Sequence, residues 1–299
     1  MLKPEALARF EHLAGAIIFY RISLIMQKKL LIIVVVAAAA ILAFVIIKKE
    51  AMAPGPNGEP TVSPSPTHEP NIIILSPMDG EQVTNPIRMT GKARVFEATF
   101  AYRLKDANGK LLYEGFGMTT GSSVPDYGDF DFKIGVPVGA TKDLTVEVFE
   151  YSAKDGSVIN LDSVKVQLAN MTTSKVKVYF SNNKLDPAVS CTKVFPIERE
   201  ILKTQEVGFV AIFELLRGVL PSESKDYQPS IPKGTILNSL IIRDGTAYVD
   251  FNHVLEMDGG GSCHVQAIRA QITDTLKQFP TVKSVVISIN GRTEDILQP

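Results

Sequence analysis

The longest uninterrupted apolar stretch of the chain lies near its N-terminus. Residues 30–47 read LLIIVVVAAAAILAFVII, which is 18 residues without a polar side chain, and a helix of that length approaches the hydrocarbon thickness of a bilayer. Five Lys or Arg residues precede this run, whereas only Lys48 and Lys49 follow it before Arg88. Because positively charged flanks are retained on the cytoplasmic side, we predict a cytoplasmic tail at 1–29, a single transmembrane helix at 30–47 and an extracytoplasmic remainder.

The two ends of this segment leave alternatives open. Ala51-Met52-Ala53 has the form of a signal-peptide cleavage site, but the apolar run is longer than the roughly 7–15 residues of a signal h-region, so we expect an uncleaved anchor. Met26-Gln27-Lys28-Lys29 is a typical start of a signal anchor. This favours the hypothesis that translation begins at Met26 and that residues 1–25 are not part of the native protein.

Proline dominates the stretch that follows the apolar run. Residues 51–70 contain six Pro, with Gly, Ser, Thr and Glu between them. Such a composition cannot bury a core and favours extended polyproline II structure. We therefore predict a Pro-rich linker at 48–70 that separates the membrane helix from the rest of the chain.

A pattern of short β-strands begins at Asn71. Apolar and polar residues alternate, β-branched residues are frequent, and turn signals such as Asn108-Gly109 and Asp155-Gly156 separate the runs. About seven short strands in about 100 residues, without a helical pattern, are typical of a β-sandwich, so we predict an all-β domain at 71–169. The predicted strands are 72–75, 87–90, 93–104, 110–117, 130–136, 144–151 and 163–168.

Helical periodicity appears in the last part of the chain, from residue 174 onward. Gln205–Arg217 is apolar at helical spacing and stops at Gly218, a typical residue just past a helix end. A second helix is predicted from an N-cap at Ser262 to Phe279, with an apolar face of Val265, Ile268, Ile272, Leu276 and Phe279. Strands are predicted at 175–180, 236–242, 246–251 and 284–289, with Arg243-Asp244-Gly245 as a hairpin signal.

The predicted order of elements is β, β, α, β, β, α, β, which includes one strand to which no range is assigned. This order predicts an α+β domain at 174–299 with helices packed on one face of a sheet. The expected fold is therefore an all-β sandwich followed by an α+β domain, with a single N-terminal transmembrane helix.

Composition and charge exclude some classes of function. The 299 residues include 31 Lys plus Arg and 32 Asp plus Glu, a net charge of −1, which argues against a nucleic-acid-binding protein. Two Cys and four His are too few for a zinc ribbon or an iron–sulfur array. We therefore expect no cofactor and no nucleic-acid partner.

Both folded regions resemble known bacterial domains. The segment IIILSPMDGEQVTNPIRMTGKARVFEATFAYRL, followed by DANGKLLYEGF, resembles the immunoglobulin-like domain of bacterial spore germination proteins. VKVYFSN, FELLRGVLPSE, IPKGTILNSLIIRDGTAYVDFN and GGGSCHVQAIRAQITDTLKQFPTVKSVVISINGR resemble the GerMN, or sporulation and spore germination, domain. The resemblance implies an immunoglobulin-like fold at 71–169, a GerMN domain at 174–299, and an envelope protein outside the cytoplasmic membrane without an assigned set of catalytic residues.

The two cysteines, Cys191 and Cys263, both lie in the last domain. Exactly two Cys in one exported domain indicate a disulfide, and a loop of about 70 residues closed in this way is worth about 4 kcal/mol on the loop-entropy model. Two unpaired thiols are one alternative. A metal site made of both cysteines with His253 and His264 is another, although adjacent Cys-His is not usual ligand spacing. A Cys–His hydrolase with Cys263 as nucleophile is a third.

Two further clusters are candidate ligand sites. Gly259, Gly260, Gly261 and Ser262 precede the second helix, so their amides form a candidate ligand loop for an anion, with a flexible loop and N-cap as the simpler interpretation. Asp126, Asp129 and Asp131 lie in a predicted loop of the sandwich. Their spacing is not that of a calcium loop, so we expect a solvated acidic loop.

These observations favour a non-enzymatic binding or scaffold protein of the bacterial cell envelope. We expect no catalytic residues and no metal site, anchorage in the membrane by one helix, and a partner that is an envelope protein complex or a second copy of the chain. The alternative is a protein that binds peptidoglycan or another wall polymer, which would need a concave, aromatic-lined groove.

Overall fold

The computed structural model describes residues 69–121, 124–257 and 261–298. The predicted cytoplasmic tail, the predicted transmembrane helix and nearly all of the predicted linker lie outside these residues. Among the helices of the described ranges, none has the length and apolar character needed to cross a membrane.

Residues 72–168 form a sandwich of two β-sheets, which confirms the predicted all-β domain. One sheet has the strand order β1-β3-β6 and the other β2-β8-β7-β4-β5. The alternating residues that face inward are buried, among them Phe100, Leu104 and Phe130, because successive side chains of a strand point to opposite faces. The strands are β1 (Ile72–Ser76), β2 (Glu81–Val83), β3 (Ile87–Ala93), β4 (Thr99–Asp106), β5 (Leu111–Met118), β6 (Gly128–Ile134), β7 (Asp143–Tyr151) and β8 (Val158–Leu168).

The sandwich differs from the prediction in two places. The predicted strand at 93–104 is wrong: the chain leaves β3 at Ala93, forms a 3₁₀ turn at Phe96–Ala98 and enters β4 in the other sheet. Glu97 and Ala98 have positive φ angles of 52° and 56°, a break that hydrophobic alternation does not reveal. Strand β2 was not predicted, because only three residues pair with β8.

The last region is an α+β domain, and its described residues form two α-helices and six strands. Its elements are β9 (Thr173–Asn182), β10 (Phe195–Leu202), α1 (Val207–Leu216), β11 (Tyr227–Gln228), β12 (Leu237–Arg243), β13 (Thr246–Phe251), α2 (Gly261–Lys277) and β14 (Ser284–Ile289). The strands divide into two sheets, β10-β9-β11 and β12-β13-β14, instead of the single sheet that we predicted. Helix α2 connects the parallel strands β13 and β14.

Helix α2 holds this domain together through the apolar face that its sequence predicts. Val265, Ile268, Ile272 and Leu276 are all buried in one core with residues of β9, β13 and β14. The helix begins at Gly261 and ends at Lys277. The predicted N-cap is therefore wrong, and Ser262 lies inside the first turn.

The sandwich and the α+β domain meet at a buried polar joint centred on Asn85. The Asn85 side chain is buried; its Oδ1 accepts a hydrogen bond from the Val136 N–H at 2.9 Å, and its Nδ2 donates to the Leu202 carbonyl at 3.2 Å. In the same place the Thr204 hydroxyl donates to the Asn85 carbonyl at 2.5 Å. A single side-chain amide therefore links the backbone of one domain to that of the other.

An aromatic contact completes the joint. Phe213 of α1 packs on Tyr113 of β5, with ring centroids 4.7 Å apart, and it lies against Gly135. A Cβ atom at Gly135 would stand 2.3 Å from the Phe213 ring, so the close approach requires glycine. Leu202, at the end of β10, is buried in the core of the sandwich. The two domains thus share apolar as well as polar contacts.

A buried ion cluster fixes α1 on β10. The Arg199 guanidinium donates to both carboxylate oxygens of Glu223 at 2.7 Å and to the Gly218 carbonyl at 2.5 Å, and it also bonds the Glu214 carbonyl. Glu214 in turn accepts two hydrogen bonds from Arg217 at 2.8 and 2.9 Å. Burial by itself raises the pKa of Glu223, but hydrogen bonds from Arg199 and the Leu220 N–H outweigh it and leave the pKa lowered. Two cations and two anions balance inside the domain.

We expect Asn85→Ala to lower the free energy of unfolding by about 1–3 kcal/mol, because it leaves two buried backbone groups without their partner. Chemical denaturation measures the change. The control is Asn170→Ala: Asn170 is exposed and accepts only a local bond from the Thr172 N–H, so an effect within about 0.5 kcal/mol is expected. Equal effects of the two substitutions would contradict the joint.

Arg199→Met should lower the free energy of unfolding by about 3–5 kcal/mol, because it leaves the buried Glu223 carboxylate without its cation, whereas Glu214 keeps Arg217. The matched control is Arg88→Met, since Arg88 pairs with Asp131 at the surface with side-chain exposures of 63% and 53%, and such pairs contribute at most about 1 kcal/mol. Thermal or urea unfolding of both variants tests the difference, and a cost below that of the control would refute the role of the cluster.

Candidate functional site

The structure contains the disulfide that the sequence predicts between Cys191 and Cys263, which are 72 residues apart. The bond ties the loop between β9 and β10 to the first turn of α2. Both sulfur atoms are engaged in this bond, so neither serves as a metal ligand or as a nucleophilic thiolate. Within the described residues, no group of three or more His, Cys, Asp and Glu is placed to hold a metal ion.

A pocket of about 350 Å³ lies beside the disulfide. Its wall includes His264, whose Nε2 atom is buried without a hydrogen-bond partner among the described residues. Asp186, also in the wall, accepts bonds from the N–H and the hydroxyl of Ser190 at 2.6 and 3.1 Å. These bonds are local, so Asp186 helps to shape the loop.

The predicted ligand loop does not join this pocket in the part that the structure describes. Gly259 and Gly260 lie outside the described residues. Gly261 is the first residue of α2, and the Ser262 hydroxyl accepts a hydrogen bond from Gln266 at 2.9 Å. Neither of these two residues lines the pocket beside the disulfide.

Most of the predicted acidic loop is a strand in the structure. Asp129 and Asp131 belong to strand β6 and not to a loop. Each one pairs with a cation of the neighbouring strand β3, at 2.8 Å to Lys92 and 2.5 Å to Arg88. The hydrogen bond from Arg88 holds the pKa of Asp131 below its usual value. Only Asp126 precedes the strand, where it is exposed.

A cleft of about 640 Å³ lies between the two domains. The sandwich contributes Arg88, Asp131 and Lys133 to its walls, and the α+β domain contributes Glu206 and residues 238–241 of β12. Lys133 bonds Glu206 across the domain boundary at 2.5 Å. The cleft therefore has charged walls whose groups are largely paired, and a β-strand along one side.

Strand β12 is an edge of its sheet, since the order is β12-β13-β14. Asn238, Ser239, Ile241, Ile242 and Arg243 are exposed along it. Ile241 and Ile242 are unusual for an edge, with 61% and 40% of their surface exposed. An open edge of this kind is a template for pairing with another strand.

A second pocket at the domain boundary is lined by aromatic rings. Its volume is about 120 Å³, which is well below the roughly 300–1,000 Å³ of small-molecule sites. Burial raises the pKa of its Tyr102 well above the usual value. This pocket is aromatic, as a wall-polymer site would need, but it is too small to hold a sugar chain. Its rings are Tyr102, Tyr113, Phe116, Phe132, Phe209 and Phe213.

Sequence reasoning missed the cleft and the ion cluster. A sequence signal for Arg199 was present. It lies on the same face of β10 as Ile197 and Ile201, and a charged residue on a buried face indicates a buried partner of opposite charge. No sequence pattern marks the cleft, because its residues come from distant segments of the chain.

Comparison with known protein families identifies both domains. The model described as an immunoglobulin-like domain of bacterial spore germination matches residues 71–157, and the model described as sporulation and spore germination matches residues 177–295. The chain contains a GerMN domain that follows an immunoglobulin-like domain of bacterial spore germination. The resemblance noted in the sequence is thereby confirmed, and the α+β domain is the GerMN domain.

Solved structures show weaker similarity to parts of this GerMN-domain protein. The tandem GerMN domains of the sporulation protein GerM from Bacillus subtilis are 21% identical with a TM-score of 0.34, covering 42% of this chain and 43% of that one. The first GerMN domain of GerM alone is 21% identical with a TM-score of 0.32, and the match covers 40% of this chain and 85% of that one. CopC from Methylosinus trichosporium OB3b is 17% identical with a TM-score of 0.23, and the match covers 32% of this chain and 92% of that one.

The chain thus spans less than half the length of the tandem GerM structure that it matches. A search of curated proteins finds no match to the sequence. The family assignment rests on the two domain matches.

The disulfide of the GerMN domain can be tested by the mass of the alkylated protein and by the free energy of unfolding of a variant without cysteines. Alkylation of the native protein without reductant should add no label to Cys191 or Cys263, and two labels would contradict the bond. Replacing both cysteines by Ala should lower the free energy of unfolding by up to about 4 kcal/mol, because the denatured chain regains the freedom of a long loop. A reductant should destabilise the wild-type protein and leave the double variant unchanged.

Proposed function

We propose that this chain is a non-enzymatic binding and scaffold protein of the bacterial cell envelope, held at the cytoplasmic membrane with both domains on the outer side. Three observations support the location: the apolar run at 30–47 with more positive charge before it than after it, the disulfide in the GerMN domain, and the sporulation and spore germination families to which both domains match.

The observation that carries the binding role is the interdomain cleft with the open edge of β12 along one wall. Edge strands bind partners through backbone hydrogen bonds, and the adjoining surface supplies specificity. The joint at Asn85 and Phe213 holds the sandwich against the GerMN domain, so the two walls of the cleft form one binding surface. A protein ligand fits this surface better than a sugar, because a strand edge offers backbone groups and not aromatic platforms.

The charges in the cleft support a role in binding without catalysis. Arg88 is paired with Asp131, and Lys133 with Glu206. A general acid needs a carboxyl whose pKa is raised toward neutrality, whereas the pKa of Asp131 is lowered by its hydrogen bond to Arg88. These groups are suited to fixing the shape and charge of the cleft wall.

Site-specific photo-crosslinking of the full-length protein in native membranes tests this proposal. We expect a benzoyl-phenylalanine at position 241, beside the cleft, to crosslink an extracytoplasmic protein. The matched control is position 161 on β8, where Leu161 has a similar exposure of 49% but does not line the cleft. Equal crosslinking from both positions would contradict the proposed surface. Binding of the protein to purified sacculi without any protein crosslink would replace it with the wall-polymer function.

A further inference from the structure

We propose that the partner at the open edge of β12 is a second copy of this chain, paired antiparallel about a two-fold axis at Ile241. The inference rests on the proposed function and names the partner of that surface. The joined sheets would form one six-stranded sheet with the order β14-β13-β12-β12-β13-β14.

The turn between β12 and β13 fixes which backbone groups face the edge. Asp244 and Gly245 form a two-residue loop with φ angles of 50° and 79°, the signature of a type I′ hairpin whose closing pair exchanges both hydrogen bonds. That pair is Arg243 with Thr246. Since bonded pairs alternate along an antiparallel ladder, Leu240 and Ile242 direct their N–H and C=O groups away from β13.

No hydrogen bond reaches these outward groups from any residue of the described ranges. In an antiparallel pairing centred on Ile241, Leu240 of one copy stands opposite the partner's Ile242, and Ile242 opposite the partner's Leu240. Both pairs then exchange two hydrogen bonds, which gives four in total. A pairing centred one residue earlier or later would need the bulge between Leu237 and Ser239 or the turn residue Asp244, so the centre at Ile241 is favoured.

The side chains on the outer face of the sheet are self-complementary in the same register. Ile241 lies beside Tyr248, and Tyr248 beside Val286, so that an apolar row crosses the three strands. Ile241 is 61% exposed and Tyr248 40% exposed. The two-fold axis places Ile241 against the partner's Ile241 and joins two short rows into one that crosses six strands. The four residues at 239–242 include no Lys and no Pro, the residues that commonly protect an edge from pairing.

Charge also favours this partner. In this register the hairpin tip of the partner lies along Leu237–Ser239, and Asn238 and Ser239 line the cleft. The tip carries Arg243 and Asp244, with Lys283 packed against Gly245, which is an excess of one positive charge. The charged residues that line the cleft are Glu81, Arg88, Asp131, Lys133 and Glu206, an excess of one negative charge. The tip and the cleft are therefore of opposite sign.

A cysteine at the proposed axis tests the register in the full-length protein, purified in detergent. The Cα atoms of a non-bonded antiparallel pair are about 4.5 Å apart, within the range of about 4.4–6.8 Å that a disulfide spans. Ile241→Cys should therefore give a covalent dimer on mild oxidation. The matched control is Tyr248→Cys on the same exposed face, which would lie three strand spacings, about 14 Å, from its copy and should stay monomeric on a non-reducing gel.

A charge at the axis tests the dimer without a crosslink. Ile241→Lys should raise the dimer dissociation constant roughly tenfold or more in sedimentation, because like charges then stand directly opposite each other. Its thermal unfolding at low protein concentration should match the wild type, since residue 241 is exposed.

Four results would overturn the pairing. They are a wild-type protein that remains monomeric, equal crosslinking of the two cysteine variants, an Ile241→Lys variant that dimerises as tightly as the wild type, and crosslinking of position 241 to a different envelope protein. The last of these would leave the proposed binding function intact, because the open edge of β12 would still be the surface that binds a protein.

Discussion

The burial of one amide side chain at the domain boundary is the constraint on which the arrangement of this protein depends. A buried amide must find partners for its oxygen and its nitrogen, and Asn85 finds one in each domain, at Val136 and at Leu202. A rotation of the GerMN domain relative to the sandwich would strain the bond to Leu202, which crosses the boundary. Together with the Thr204 hydroxyl and the Phe213–Tyr113 contact, this bond holds the two walls of the cleft in place.

The charged side chains have two roles: a buried cluster stabilises the fold, and exposed pairs set the surface charge. Arg199, Glu214, Arg217 and Glu223 are mutually neutralised inside the GerMN domain and hold α1 on β10. The same helix supplies Phe213 to the domain joint, so the ion cluster determines the position of the aromatic contact. The ion pairs Arg88–Asp131 and Lys92–Asp129 on the sandwich surface are exposed and contribute little to stability, but they set the charge that a partner meets.

Local patterns were enough to predict most elements, and the reasons for the failures are physical. Alternation located the inward residues of the sandwich, and helical spacing located the buried face of α2, because each reflects burial along one element. The turn at Phe96–Ala98 was not predicted, because the chain changes direction there without interrupting the alternation of apolar and polar residues. The disulfide followed from counting cysteines. The cleft combines residues such as Arg88, Glu206 and Ser239 from three separate segments, and no local pattern brings them together.

The covalent link at Cys191–Cys263 has a consequence for the resistance of the protein to proteolysis. The 72-residue separation encloses β10, α1, β11, β12 and β13, which include the edge strand and one side of the cleft. A protease that cuts a single exposed loop in this stretch leaves two fragments that are still one covalent molecule. Because the packed elements remain next to each other, nicked chains would keep their shape, and digestion would require a second cut or reduction of the bond.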